Sequence, residues 1–208
     1  MPIKKHNPFR IVQMFEEEVA EYCGSKYAVA VDSCTDGLLL ACLYEKVRGT
    51  EVTIPKHTYI SVPQSIMNAG GVPKFEDLEW SGVYQLKPYP IYDSAKRLTS
   101  NMYIAGTHMC LSFHLKKPLP IGKGGMILTD NEDAYKWFIK ARYEGRSFDE
   151  GNSYLTDPIE ILGYNAYMSP EQAARGLWLL QYYPESAPDQ TEIPNYRDLT
   201  TFPMFQNK

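Results

Sequence analysis

Apolar residues recur at Ile11, Met14, Phe15, Val19 and Tyr22, the spacing of one helical face. Glu16, Glu17 and Glu18 fall on the opposite, wet side, and Gly24 is placed to end the helix. The period then changes. Residues 27–31, Tyr-Ala-Val-Ala-Val, form a short unbroken apolar run, as expected of a buried strand. The run stops at Asp32-Ser33-Cys34-Thr35, and a strongly apolar helix is predicted over 35–46. Residues 51–55 read as a strand, 58–68 as a helix, and 72–76, after Gly70-Gly71, as another strand. The order αβαβαβ predicts a parallel sheet with helices on both faces.

The middle of the chain is less regular. Residues 77–90 carry two prolines and no clear period, and 90–93 predict a short strand ending in an acid. Strands are expected over 107–113 and 125–129, joined by a segment rich in Lys, Pro and Gly. Asn131 is a candidate cap for a helix to about residue 144. Ser169-Pro170-Glu171-Gln172 combines a capping box with proline at the first helical position, opening a helix to about residue 183. Residues 184–208 hold four prolines and little periodicity, so they form no domain of their own. The expected organisation is one domain over 1–183 and a proline-rich arm over 184–208, docked or frayed.

Composition narrows the class. The 208 residues suffice for a sizeable core, and 44% hydrophobic content excludes a disordered chain. A net charge of −4 argues against a broad nucleic-acid surface, which needs clustered cations. The longest apolar run, 38–44, is far short of the ~20 residues that span a bilayer. The N-terminus is charged but has no apolar stretch behind it, so no signal peptide is expected. Cys23, Cys34, Cys42 and Cys110 make no C-x-x-C pair and read as buried thiols in a reducing compartment, the cytoplasm. The histidines make no H-x-x-x-H or H-E-x-x-H, so no metal site is expected.

Three segments carry candidate chemistry. At Asp32-Ser33-Cys34-Thr35-Asp36-Gly37 a buried strand meets a helix N-terminus, where free N–H groups and the helix dipole attract an anion. The same residues also serve as a plain N-cap. Asp93 ends a strand at the edge where parallel sheets bind ligands, and equally suits a turn. Ser112-Phe113-His114-Leu115-Lys116-Lys117 brings a lysine pair after an apolar strand. A lysine shielded from water is a nucleophile, whereas a solvated one is only a basic loop. Gly122-Lys123-Gly124-Gly125 lacks the spacing of a nucleotide-triphosphate loop and leads into a strand.

Taken in order, these pieces resemble the DegT/StrS-type aminotransferases, fold-type I pyridoxal phosphate enzymes that often act on nucleotide-linked keto sugars. The matching segments are Tyr27-Ala28-Val29-Ala30-Val31-Asp32-Ser33-Cys34-Thr35, Glu51-Val52-Thr53-Ile54-Pro55 with Thr58-Tyr59, and Ala69-Gly70-Gly71-Val72-Pro73-Lys74-Phe75. Asp93-Ser94-Ala95-Lys96, Ser112-Phe113-His114 with Lys117, and Gly122-Lys123-Gly124-Gly125-Met126 follow. Gly163-Tyr164-Asn165-Ala166-Tyr167-Met168 with Gln172-Ala173-Ala174 completes the set, which covers roughly 15–180. The resemblance implies a three-layer αβα fold-type I large domain with a mostly parallel central sheet and the C-terminal small domain largely missing. Only residues 78–92 separate Asp77 from Asp93, where the family has a long segment, so a strand-helix unit is expected to be absent. Cys34 replaces the usual Gly, Lys96 the usual Gln or His, and Tyr167 the usual Arg.

The resemblance also implies roles. Lys117 would condense with the aldehyde of pyridoxal 5'-phosphate and then shuttle the substrate proton; Lys116 is the competing lysine. Asp93, with Ala95 beside it, would pair with the pyridinium nitrogen. Ser33, Cys34, Thr35 and Asp36 would hold the phosphate, helped by Ser112. His57 falls where an aromatic usually stacks on the ring. Asn165 would reach the phosphate of a neighbouring subunit, making the site part of a homodimer. The implied reaction passes an amino group from a donor such as glutamate to a carbonyl acceptor, with neither nucleic acid nor membrane as partner. A non-catalytic relic of the fold is the alternative. Dehydration by relatives that replace the lysine with histidine is not indicated, because His114 precedes an intact lysine. Lys96 is either a solvated or substrate-facing cation, or a cation that lowers the pKa of Lys117.

Overall fold

The structure, a computed structural model, describes residues 7, 9–146, 157–190 and 196–206. Among them are seven strands: β1 (Tyr27–Val31), β2 (Glu51–Pro55), β3 (Val72–Glu76), β4 (Tyr84–Leu86), β5 (Ile91–Asp93), β6 (His108–Ser112) and β7 (Gly125–Thr129). β1, β7, β6, β5 and β4 pair in that order, and β2 pairs with β3. Thr53 and Lys87 exchange backbone hydrogen bonds of 2.8 and 3.0 Å, an antiparallel bridge joining the β4 end to β2. β1, β2, β3, β5 and β6 run one way, β4 and β7 the other. The sheet is therefore mixed but mostly parallel by strand direction. The connections explain this: a helix crosses over between β2 and β3, whereas β6 turns back into β7 through a helix-free loop.

Helices cover both faces. Alternate residues of β1 point to opposite sides, Val29 and Val31 to one and Ala28 and Ala30 to the other. The first side packs on α2 (Cys34–Tyr44), α3 (Ser61–Asn68) and α4 (Glu132–Ala141), through Leu38, Leu40, Ile66 and Phe138. The second packs on α1 (Arg10–Cys23) and α5 (Pro170–Leu180), through Val12, Phe15, Val19 and Ala173. Gly24 adopts a left-handed φ of 76°, and its N–H closes α1 on the Ala20 and Glu21 carbonyls. The Ser169–Gln172 capping box forms as the sequence suggests.

Several expectations need correction. Glu16 is not on the wet side of α1. It is buried, accepts the Ala30 N–H at 2.7 Å and pairs with Arg142, which also donates to the Ala30 carbonyl at 2.6 Å. This pair ties α1, β1 and the end of α4 together. Breaking one side strands a buried charge, so Arg142→Met is expected to cost about 3–5 kcal/mol. Glu16→Leu combined with Arg142→Met should cost less, and urea unfolding of both variants checks the difference. α3 starts at Ser61 rather than 58, and α4 ends at Ala141 rather than 144 because Tyr143 turns to bridge Asn165. α5 ends at Leu180 rather than 183, and the irregular segment before Asp93 contains strand β4 but no helix.

The C-terminal arm is docked wherever it is described. Ser100 donates to the Glu185 carbonyl at 3.0 Å, and Arg97 grips Asp189 with two bonds of 2.6 and 2.7 Å. Farther on, Leu199 is buried and donates to the Lys56 carbonyl at 2.9 Å. Phe205, on the short helix α6 (Pro203–Gln206), meets the Phe75 ring at 5.2 Å. Among the described residues, no helix is long and apolar enough to cross a membrane.

Candidate active site

The carboxyl ends of β1, β5 and β6 open on one edge of the sheet, where ligands of open α/β sheets bind. β1 delivers the chain to Ser33, which is extended (φ −160°, ψ 161°) and caps α2. Its Oγ accepts the Asp36 N–H at 3.1 Å and donates to Asp36 Oδ2 at 2.6 Å. Thr35 donates to Ser61 Oγ at 2.8 Å, and Ser65 donates to the Thr35 carbonyl at 3.1 Å, which ties α3 to the same turn. Gly125 on β7 abuts this turn so closely that an added Cβ would lie 2.4 Å from the Ser33 carbonyl carbon. Burial raises the Asp36 pKa, and the Ser33 hydrogen bond opposes the shift. Lys123 pairs with Asp32 at the rim.

Asp93 ends β5 and is buried. The Tyr84 hydroxyl donates to its Oδ2 at 2.8 Å and the Ala95 N–H to its Oδ1 at 2.9 Å. Tyr84 and Thr58 hydroxyls lie 2.6 Å apart, extending the network to the loop after β2. The Cys34 thiol is 4.0 Å from Asp93 Oδ1 and 3.5 Å from the Cys110 carbonyl. Burial raises the Asp93 pKa, outweighing the hydrogen bonds from Ala95 and Tyr84 and the charges of Lys117 and Lys96. Burial, followed by Asp93, pushes the Cys34 thiol well above its ordinary value, so this is no nucleophilic thiolate. Three further thiols, Cys23, Cys42 and Cys110, are buried and free.

Lys117 is half-buried in the turn after β6, with its N–H on the His114 carbonyl at 2.9 Å. Its charge acts on Asp93, Cys34 and Lys96. Lys116 is exposed, and its carbonyl accepts from Gln190 Nε2 at 2.9 Å. Ser112 is half-buried, with its Oγ 3.4 Å from the His114 N–H.

The structure thus gathers the α2 turn, Asp93, Ala95 and Lys117. His57 and Asn165 are engaged elsewhere. His57 is exposed, its Nδ1 2.8 Å from the Tyr196 carbonyl, and Asn165 is exposed and donates to Glu144 Oε1 at 2.9 Å. Three residues escaped sequence reasoning, Trp80, Tyr84 and Tyr196, and Thr58 enters it only as part of a matching segment, with no role at the site. Only the β4–β5 register sets Tyr84 opposite Asp93. Lys96 is not solvated; its side chain is buried.

The DegT/DnrJ/EryC1/StrS aminotransferase family model matches residues 7–93 and 104–198. The chain belongs to this family. It is 26% identical to the spore coat polysaccharide biosynthesis protein SpsC of Bacillus subtilis, over 88% of this chain and 59% of that one. It is equally 26% identical to GDP-perosamine synthase of Caulobacter vibrioides, over 83% of this chain and 57% of that one. Among solved structures, DesV of S. venezuelae in complex with a ketimine intermediate superposes with a TM-score of 0.68. That match has 20% identity and covers 83% of this chain and 57% of that one. NtdA of Bacillus subtilis with bound cofactor PMP gives a TM-score of 0.66 at 21% identity, covering 83% of this chain and 48% of that one. These structural likenesses show the fold. The chain spans less than two thirds of the length of these relatives. The stretch 94–103, directly after Asp93, lies outside the DegT/DnrJ/EryC1/StrS match and carries Lys96 and Arg97.

Proposed function

We propose that this chain is a pyridoxal phosphate-dependent aminotransferase that passes an amino group from a donor, glutamate or another amine, to a carbonyl acceptor. The observation that carries this reading is the meeting of the buried Asp93 carboxylate, Lys117 and the α2 N-terminus at one sheet edge. The residues fit the cofactor. Lys96 Nζ and Ser94 Oγ are buried without a hydrogen-bond partner among the described residues, which calls for a polar ligand beside Asp93.

When bound, the cofactor supplies an aldehyde and a ring that draws in electrons. The first-turn N–H groups of α2, with Ser33, Cys34, Thr35 and Ser112, would bind the phosphate. Asp36 orders that turn through Ser33. Asp93 would hold a proton at the ring nitrogen, and Ala95 and Tyr84 keep its carboxylate in place. Lys117 Nζ would hold the aldehyde carbon, with loss of water, until the donor's amino group displaces it; the freed amine would then take a proton from the substrate carbon and return it. His57 would stack on the ring after release from Tyr196.

For the acceptor we favour a nucleotide-linked keto sugar, in line with the sugar named in GDP-perosamine synthase; a small aldehyde or ketone is the other class. Absorbance of the cofactor-loaded protein before and after glutamate tests the reading, and a spectrum unchanged by any amine would sink it. A non-catalytic role is the second reading, favoured by the arm that lies across the loops bearing Lys96 and Lys116. Cofactor uptake without any response to amines is its signature.

We further propose an isologous homodimer, with Asn165 reaching the partner's phosphate. The exposed side chains of Tyr59, Leu115, Leu162, Trp178 and Tyr182 supply apolar surface for it. Light scattering on dilute loaded protein should give a dimer, with an interface of ~2,000 Å² or more. A catalytically active monomer would remove the role of Asn165. The free thiols fit a reducing compartment, the cytoplasm.

A further inference from the structure

At the end of the sheet opposite the candidate active site, the first residue of β6, His108, is buried. Its Nε2 lies 3.0 Å from Oε1 of Glu45, the residue that ends α2. Its Nδ1 lies 3.1 Å from Oγ1 of Thr129, the last residue of β7. Thr129 is buried too, and its Oγ1 accepts the Asn131 N–H at 3.2 Å; Asn131 in turn caps α4. Two rings flank the imidazole edge-on, Tyr44 at 5.5 Å and Phe138 at 5.3 Å. One side chain thus joins the end of α2, two strands and the start of α4.

The partners fix which ring nitrogen carries the proton. A carboxylate only accepts, so Nε2 donates to Glu45, and the bare Nδ1 of the neutral ring accepts the Thr129 O–H. A second proton, on Nδ1, would take Thr129 Oγ1 as its acceptor and turn the Thr129 O–H away. Among the described residues that oxygen has no side-chain or backbone partner besides Nδ1 and the Asn131 N–H, so the displaced O–H would be a buried donor left unsatisfied. The charges nearby do not offset this. Burial lowers the His108 pKa from the ordinary 6.5 and outweighs Glu45 and Asp130, which favour the charged ring. Asp133 on α4 acts on Tyr44. Tyr44, Tyr103, Cys42 and Cys110 are the other ionisable groups around the cluster, and burial raises each of them, so they stay neutral in mild acid.

We propose that His108 is an acid-sensitive latch: the neutral ring holds the end of α2 to β6, β7 and the cap of α4, and a proton on Nδ1 displaces the Thr129 hydroxyl and loosens that junction. The direction follows from linkage. The unfolded chain protonates this histidine as pH falls through about 6.5, whereas the folded chain resists until a lower pH. The latch therefore contributes fully above that value and loses its contribution as pH falls from there to the folded pKa. It lies at the far end of the strands from Ser112 and Gly125, and it operates whether or not the chain is an aminotransferase.

Nuclear magnetic resonance on the full chain reads the latch directly, with the His108 ring assigned through its own backbone amide. The nitrogen shifts should show the Nε2–H tautomer above the transition, and the ring should titrate below the ordinary imidazole value. Glu45→Gln removes the facing negative charge and should lower the titration point further. Urea unfolding from about pH 7.5 to 5.5, on wild type and on His108→Gln, which cannot titrate, cancels the groups that the two share. The ratio of their folding equilibrium constants should fall with pH below about 6.5, by at most about tenfold per pH unit for one proton. If the Gln variant folds poorly, protection of the Asn131 amide in wild type replaces that ratio and should drop over the same range. A neutral ring in the Nδ1–H tautomer, or a ring that titrates at or above the ordinary value, would overturn the proposal. So would a ratio, or in its place an Asn131 protection, that stays flat across the range.

Discussion

Replacing Lys117 with alanine is expected to remove the visible absorbance of the cofactor-loaded protein and to lower turnover by ~10²–10⁴-fold, the range for losing a positioned acid–base group. The group lost is an amine whose charge reaches Asp93, Cys34 and Lys96 at once. Its neighbours are poor substitutes. Lys116 is exposed and its carbonyl carries the arm through Gln190. Lys96 is confined between two rings. Borohydride treatment of loaded wild type, followed by peptide mapping, should find the attachment on Lys117. Attachment on Lys116 or Lys96 would show that the wrong lysine had been chosen.

Asp93→Asn is expected to bind cofactor yet lose turnover by roughly 10²-fold or more, with kcat and kcat/KM falling together, because the missing charge matters most in the transition state. An amide can accept the Ala95 N–H with its one oxygen and turn its NH2 to the Tyr84 hydroxyl, which would then accept, but it cannot hold a proton at the ring nitrogen as a carboxylate does. Stability should not follow activity. Burial raises the Asp93 pKa, so the ionised carboxylate is costly in the folded protein, and a neutral amide removes that cost. Steady-state kinetics beside a thermal melt separates the two effects. Wild-type turnover in this variant would remove Asp93 from the mechanism.

Much of the architecture was legible because it is written locally. The helical spacing from Ile11 to Tyr22, the apolar run 27–31 and the Ser169 capping box each use a few adjacent residues, and each element forms where expected, although α1 buries Val12, Glu16 and Cys23 and leaves Met14 exposed. β4 was not legible. Three residues carry almost no period, and Tyr84–Leu86 is a strand because β5 lies opposite it. Glu16 misled for a related reason. On α1 alone it sits with Glu17 and Glu18 on a polar face; only Arg142, far along the chain, makes its burial affordable.

The site divides along the same line. The sequence by itself determined the order of the motifs, the family they resemble, and Asp93 and Lys117 as the residues to watch, since each follows a readable strand. It also determined that a helix N-terminus follows β1. Only the tertiary structure decided that Tyr84 and Thr58 extend the Asp93 network, and that His57 bonds the arm. It alone decided that Lys96 is buried between Trp80 and Tyr196 rather than solvated. Periodicity and caps depend on neighbours within a turn or two, so the sequence carries them openly. Contacts between residues tens of positions apart depend on which strands pair and where the arm lies. The physical reason is that such pairings are selected by burial of the whole core and by satisfaction of buried polar groups, and no single segment encodes either.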